Sequence, residues 1–253
     1  MSQDLDITRI GDQMRTQTVA IVPCYNAGDR VHGVVAGVLR HLDKVLVVDD
    51  GCTDGCLEGI ADLPFETVRH ATNRGKGHAI ISGIAHALDD PAVDLICLLD
   101  ADGQHNPDEL PNLIRAFHHH EADLVIGSRV FDGAKVPLRS RFGNKVTVTV
   151  TSALVGRRLP DTQSGYRLLS RKFATAIRDT VQGGRYETEM EIIVKAIREG
   201  YAIHPEPITT IYETGNASSH FHKIRDSFLI YRRLIVTAWR YKSAPARQQN
   251  PVE

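Results

Sequence analysis

Cysteine is scarce in this sequence: four residues in 253, with no CxxC pair among them. The CxxC pattern of zinc ribbons and thioredoxin-like redox sites is therefore missing, and Cys24, Cys52, Cys56 and Cys97 read as reduced cytosolic thiols, with a disulfide or a zinc site as the other reading. Long apolar runs are missing too, none approaching the roughly 18 residues that a bilayer span needs. Met1–Gln17 is polar where a secretory leader would be apolar. Nor is there an excess of charge of one sign. Thirty Lys and Arg against 31 Asp and Glu leave a formal net charge of -1, which removes the chain-wide basic field of a nucleic-acid binder. What remains is an ordinary globular composition, 42% hydrophobic and 24% charged, with no internal repeat or linker to divide it.

Short apolar, β-branched runs punctuate the first half. Thr18–Pro23, Val45–Asp50, Phe65–His70, Asp94–Asp100 and Asp123–Arg129 read as strands. Helical stretches fall between them at about Arg30–Leu42, Gly55–Ala61, Gly77–Leu88 and Pro107–His120. The alternation predicts parallel βαβ units, a doubly covered α/β sheet, with functional groups beyond the carboxyl ends of the strands. Ser140–Leu159 has helical length, Glu187–Gly200 carries an amphipathic helix that stops at Gly200, and Ile203–Tyr212, with two prolines, suits an edge strand. The triplet His118–His120 reads as a helix C-terminus, with metal binding as the other reading.

The richest chemistry lies in CLLDADGQHNPDELP, residues 97–111. A buried strand delivers two aspartates, Asp100 and Asp102, into one turn that holds no Lys or Arg. Two such carboxylates repel and resist desolvation. A hard divalent cation, Mg²⁺ or Mn²⁺, is the natural neutralising partner for carboxylate and amide oxygens. A solvated turn ahead of a Pro107 helix is the plainer reading.

Two nucleotide fingerprints fail. PCYNAG after the first strand is not GxGxxG, and NRGKGHAI lacks the GxxxxGK[ST] spacing. The ordered set IVPCYNAG, VVDDGCTDG, NRGKG, LLDADGQHNPDELP, VIGSR and DTQSGYRLLSR instead resembles the family 2 glycosyltransferases of the GT-A fold, and within them the dolichyl- or polyprenyl-phosphate mannose synthase-like branch. The resemblance runs over about residues 18–225. It implies a GT-A type Rossmann-like α/β/α sandwich, with a mainly parallel sheet over 18–215 and a polar tail before it. A basic amphipathic helix over 216–242 and a disordered 243–253 would follow.

The resemblance also implies a nucleotide-diphosphate sugar donor of the UDP-glucose or GDP-mannose type. Pro23, Tyr25, Asn26 and Asp50 would wall the base, with an Asx-type turn as the other reading of Asp50. Lys76 would reach a phosphate, and Asp100, Ala101 and Asp102 would line the diphosphate. Asp102 is then the principal metal ligand, Asp100 binds ribose or metal, and Gln104 completes the coordination. Asp161, Gln163 and Ser164 belong to the segment that closes over the sugar, while Arg167 is assigned to either the sugar or the loop. His220 or Lys223 stands where relatives place a Ser-Lys, which leaves the donor open.

For the acceptor the resemblance implies a polyprenyl phosphate, whose ionised oxygen needs cations rather than a base. Arg129 and Arg141 are the implied grips, with the register of Arg139 against Arg141 open. Glu187 and Glu189 are the candidate bases if the acceptor is instead a hydroxyl of a soluble or cell-envelope glycan. A nucleotidyltransferase or an inactive nucleotide-sugar binder is the remaining alternative. The basic, aromatic-lined helix near Phe221–Tyr241 suits an anionic membrane surface, a membrane partner protein, internal packing or a homo-oligomer contact. The expected place is the cytoplasm, peripheral on the cytoplasmic membrane face.

Overall fold

The computed structural model describes residues 17–129, 161, 164–185 and 187–209. The expected helices at 140–159 and 216–242, both tails, and Arg139, Arg141, Gln163, His220 and Lys223 lie outside these residues.

Seven strands form one sheet: β1 (Thr18–Cys24), β2 (Lys44–Asp49), β3 (Glu66–Arg69), β4 (Leu95–Leu98), β5 (Leu124–Arg129), β6 (Arg167–Ser170) and β7 (Ile203–Ile208), in the order β3-β2-β1-β4-β6-β5-β7. β1 pairs in parallel with β2 and β4, β2 with β3, and β5 with β7. β6 alone runs antiparallel, wedged between β4 and β5. Ile203–Ile208 sits at the sheet edge, where its prolines remove no ladder bond from a central strand.

The helices are α1 (Arg30–Leu39), α2 (Lys76–Leu88), α3 (Leu110–His119), α4 (Arg171–Thr180) and α5 (Glu187–Arg198). α1 and α3 cover one face, where Val31, Val34, Val35 and Val38 meet Leu110 and Leu113 over Ala20, Val22 and Val47. α2, α4 and α5 cover the other: Ile80, Ile84, Phe173, Ile177, Ile192 and Ile193 pack on Val19, Ile21 and Ile96. The strands are apolar on both faces because both are buried.

Two elements depart from the sequence reading. The helix expected at Gly55–Ala61 shrinks to a 3₁₀ turn, Glu58–Ile60, since Gly55 takes a left-handed φ of 74° and cannot start an α-helix there. β6 and α4 follow one another without a gap, and neither was legible as periodicity. β6 has only four residues and begins on Arg167, which is fully buried. Its guanidinium donates to backbone carbonyls, Nε to Ser164 O at 2.9 Å and an Nη to Glu189 O at 2.7 Å, and the carboxylates of Glu189, Asp161 and Asp100 favour its charge. Ser170 then caps α4, its Oγ accepting from Phe173 N at 3.1 Å.

Candidate active site

The tips of β1, β2 and β4 and the first turn of α2 surround an open pocket of about 220 Å³. Pro23, Cys24, Tyr25, Asn26, Ala27 and Arg30 form one wall. Asp50, Asn73, Gly75 and Lys76 form the second, and Asp100, Ala101, Asp102 and Arg185 close it. Eight residues expected from sequence at the donor, Pro23, Tyr25, Asn26, Asp50, Lys76, Asp100, Ala101 and Asp102, are thereby brought together.

Asp50 organises this wall from behind. It is 2% exposed, and both its oxygens hold the loop ahead of α2. Oδ1 accepts from His70 Nδ1 at 2.6 Å and from Arg74 N at 2.9 Å; Oδ2 accepts from Gly75 N at 2.8 Å. His70 is braced in turn by Ser82 Oγ at 2.9 Å. Gly75, with φ 101°, lets the chain turn into α2. The outcome is that Lys76 enters the pocket on a rigid helical first turn. Gly51 is required beside it: a Cβ there would stand 2.7 Å from Asn73 N.

Lys76 Nζ lies 2.6 Å from Asp100 Oδ1 and 3.1 Å from Glu189 Oε1. Burial works against its charge, but the two carboxylates outweigh burial and raise its pKa. Asp100 is its counterpart. Burial opposes its ionisation, yet Lys76 and His105, the latter 3.6 Å away through Nε2, hold it well below the usual carboxylate range. The cation that the acidic turn lacks in sequence thus arrives from 24 residues upstream. Among the described residues Asp102 makes no ion pair in contact with a cation. Burial and the neighbouring Asp100 push its carboxyl up, against a hydrogen bond from Gln104 N at 3.0 Å and the more distant charges of His105 and Lys76. Gln104 meets the site through that backbone N–H.

The segment 164–166 packs across this tip. A Cβ on Gly165 would stand 2.5 Å from Asp100 Oδ2, so only glycine allows the approach. Ser164 is 1% exposed; its carbonyl serves Arg167 and its Oγ accepts from Tyr166 N at 3.4 Å. Of the two glutamates, Glu189 reaches the pocket through Lys76, whereas the Glu187 carboxylate lies against Gly184. Arg129 ends β5 and is held side-on by the buried Asp161, Nε at 2.6 Å and an Nη at 3.1 Å.

Sequence reasoning passed over Arg30, Asn73 and Arg185. Arg30 Nε is buried in the pocket wall with no hydrogen-bond partner. Arg185 follows Gly183-Gly184, and the glycine pair beside a basic residue was the available signal. The donor set, two strand-end carboxylates of which one lacks a cation, fits a hard divalent ion, which commonly takes one or two carboxylates and completes its shell with phosphate and water oxygens.

In an open α/β sheet the crevice beyond the carboxyl ends of the strands is where ligands bind, and the acidic groups and lysine gather there. The comparisons make the class specific. Residues 19–178 match the family model Glycosyl transferase family 2, and the chain belongs to that family and is a glycosyltransferase. A UDP-N-acetylglucosamine–dolichyl-phosphate N-acetylglucosaminyltransferase of Methanococcus voltae is 29% identical over 85% of this chain and 94% of the relative. A polyprenol monophosphomannose synthase of Mycolicibacterium smegmatis is 31% identical over 83% of this chain and 84% of the relative. The fold matches glucosyl-3-phosphoglycerate synthase from Mycobacterium tuberculosis, solved with Mn²⁺ and UDP-glucose, at a TM-score of 0.69 and 18% identity, over 94% of this chain and 84% of that one. The GT-A architecture expected from the sequence is the one found.

Proposed function

We propose that this enzyme moves a hexose from a nucleotide-diphosphate sugar to a polyprenyl phosphate, with inversion at the anomeric carbon and with Mg²⁺ or Mn²⁺ at Asp100 and Asp102. The observation that carries the reading is the junction of Asp100, Asp102 and Lys76 in one pocket at the strand ends. Support comes from the relatives, whose names specify dolichyl phosphate and polyprenol acceptors, and from the Mn²⁺ and UDP-glucose of the M. tuberculosis neighbour.

The nucleotide base stands against Tyr25 and Asn26, and Arg30 offers its unpartnered Nε to this wall. The diphosphate lies between Lys76 and the acidic tip. When bound, the divalent ion supplies Lewis-acid stabilisation of the negative charge on the diphosphate. Lys76 holds the same diphosphate from the α2 side, and Arg185 flanks it. An acceptor phosphate oxygen, already ionised, attacks the anomeric carbon. The bond to the diphosphate oxygen breaks, and its electron pair leaves with the nucleoside diphosphate. No proton moves, so Glu189 acts here as the counter-charge of Lys76. Arg129, oriented by Asp161, directs the acceptor phosphate toward the sugar.

Incubating the full chain with radiolabelled UDP- and GDP-sugars, a polyprenyl phosphate and Mn²⁺ tests this. The expected label appears in the organic phase, in a product of inverted anomeric configuration. Label confined to a water-soluble product, or retained configuration, contradicts it.

A further inference from the structure

Three of the four cysteines of this chain meet at one point. Cys24 ends β1, while Cys52 and Cys56 flank the turn after β2. The sulfurs of Cys24 and Cys56 are 3.6 Å apart, those of Cys24 and Cys52 3.9 Å, and all three fall within 4.8 Å of one another. Among the described residues this is the one group of three or more metal-capable side chains that converges so closely. Three sulfurs bound about 2.3 Å from a single tetrahedral ion stand roughly 3.8 Å apart, close to the two separations observed. The Cys52–Cys56 spacing, three residues between the sulfurs, falls within the usual range for chelation from one turn.

We infer that Cys24, Cys52 and Cys56 form a three-thiolate site for a thiophilic metal ion of the Zn²⁺ class, separate from the divalent site at Asp100 and Asp102.

Sequence spacing alone hides this site, because Cys24 comes from a different strand. Access is through Cys52, which is half-buried, while Cys24 and Cys56 are 1% and 6% exposed. Asn26 N donates to Cys52 Sγ at 3.4 Å, which favours a thiolate there. A water would fill the fourth position of a tetrahedral ion. Binding displaces the thiol protons, so affinity rises with pH. The site touches the nucleotide wall: Cys24 and Asn26 both line the pocket, and Asn26 Oδ1 accepts from Thr53 N at 2.8 Å within the same turn. An ion at the sulfurs would therefore cross-link the base wall to the turn after β2.

The test uses the full chain, reduced with a phosphine, stripped with a chelator and kept anaerobic. Cd²⁺ serves as the probe, read by thiolate-to-metal charge-transfer absorption, and Zn²⁺ is measured by competition with a chromophoric chelator. The expected result is saturation at about one ion per chain, with Zn²⁺ affinity reduced at least about tenfold in Cys52→Ser and in Cys56→Ser. Cys97→Ser and Asp102→Asn should keep the full absorption, which separates this site from the donor site. Cys52 is the half-exposed member, so Cys52→Ser is the variant to rely on should Cys56→Ser fail to fold by circular dichroism. Absence of the absorption at equimolar Cd²⁺, or its undiminished intensity with unchanged Zn²⁺ affinity in Cys52→Ser, would overturn the assignment.

Discussion

The ammonium of Lys76 lies 2.6 Å from a carboxylate oxygen of Asp100, and it reaches that place because Asp50 pins the backbone of Arg74 and Gly75. One aspartate at the tip of β2 thus sets the charge balance at the tip of β4. Removing the lysine leaves Asp100 and Glu189 facing each other without their shared cation. Lys76→Ala should cost about 2–4 kcal/mol in the ligand-free protein, near the lower end for broken buried pairs because its side chain and that of Asp100 keep 20% and 23% of their surface in water. Mn²⁺ should then raise the melting temperature of the variant more than that of the parent, since an added cation replaces the lost one. Equal Mn²⁺ shifts in both proteins would contradict this.

Gly77 lies in the first turn of α2, against α5. A Cβ there would stand 2.6 Å from Thr188 Cβ and 2.8 Å from Arg185 O. Gly77→Ala should destabilise by about 1–3 kcal/mol through overpacking and also weaken donor binding, because Lys76 and Arg185 are displaced together. Calorimetric unfolding and nucleotide titration check both. A variant as stable as the parent, with unchanged donor affinity, would show that α2 and α5 are not closely packed there.

Arg129 is aligned by two bonds to Asp161, a geometry that lysine cannot reproduce. Arg129→Lys should raise the acceptor KM at least about tenfold, the equivalent of about 1.4 kcal/mol, with donor affinity unchanged. Loss of donor affinity with a normal acceptor KM would reverse the division of the site.

The thiols titrate apart. A hydrogen bond from the Cys24 thiol lowers the Cys52 pKa, helped by Asn26 N and opposed by burial. Burial pushes Cys56 up to about 12. Because the thiolate is the reactive form and its fraction rises through the pKa, Cys52 becomes reactive at the lowest pH of the cluster. In metal-free protein near pH 8, iodoacetamide should label Cys52 first, as read by peptide mass spectrometry. Labelling of Cys24 or Cys56 at a matching rate would contradict the assignment.

Much of this arrangement was legible in the residues. β1, β2, β4 and β5 are largely apolar runs, and each of the first three delivers its polar groups at the carboxyl end, so most of the pocket wall between Pro23 and Asp102, though not Arg30 or Asn73, could be named from the motifs and the family they resemble. β6 could not, because its first residue is a buried arginine whose carbonyl partners, Ser164 and Glu189, come from loop and helix. The Lys76–Glu189 pair spans 113 positions, and no local pattern announces it. The acidic turn looked uncompensated for the same reason: its cation belongs to another element. The sulfur cluster was read as separate thiols because β1 and the turn after β2 meet only in three dimensions.

Metal binding at the tip of β4 can be read in a crystal of the full chain grown with Mn²⁺ and a nucleoside diphosphate, with the ion located by anomalous scattering. A single strong peak is expected at the tip of β4, within coordination distance of the Asp102 carboxylate and a diphosphate oxygen, and it should vanish in Asp102→Asn. A diphosphate bound elsewhere, or a peak that persists unchanged in Asp102→Asn, would contradict it.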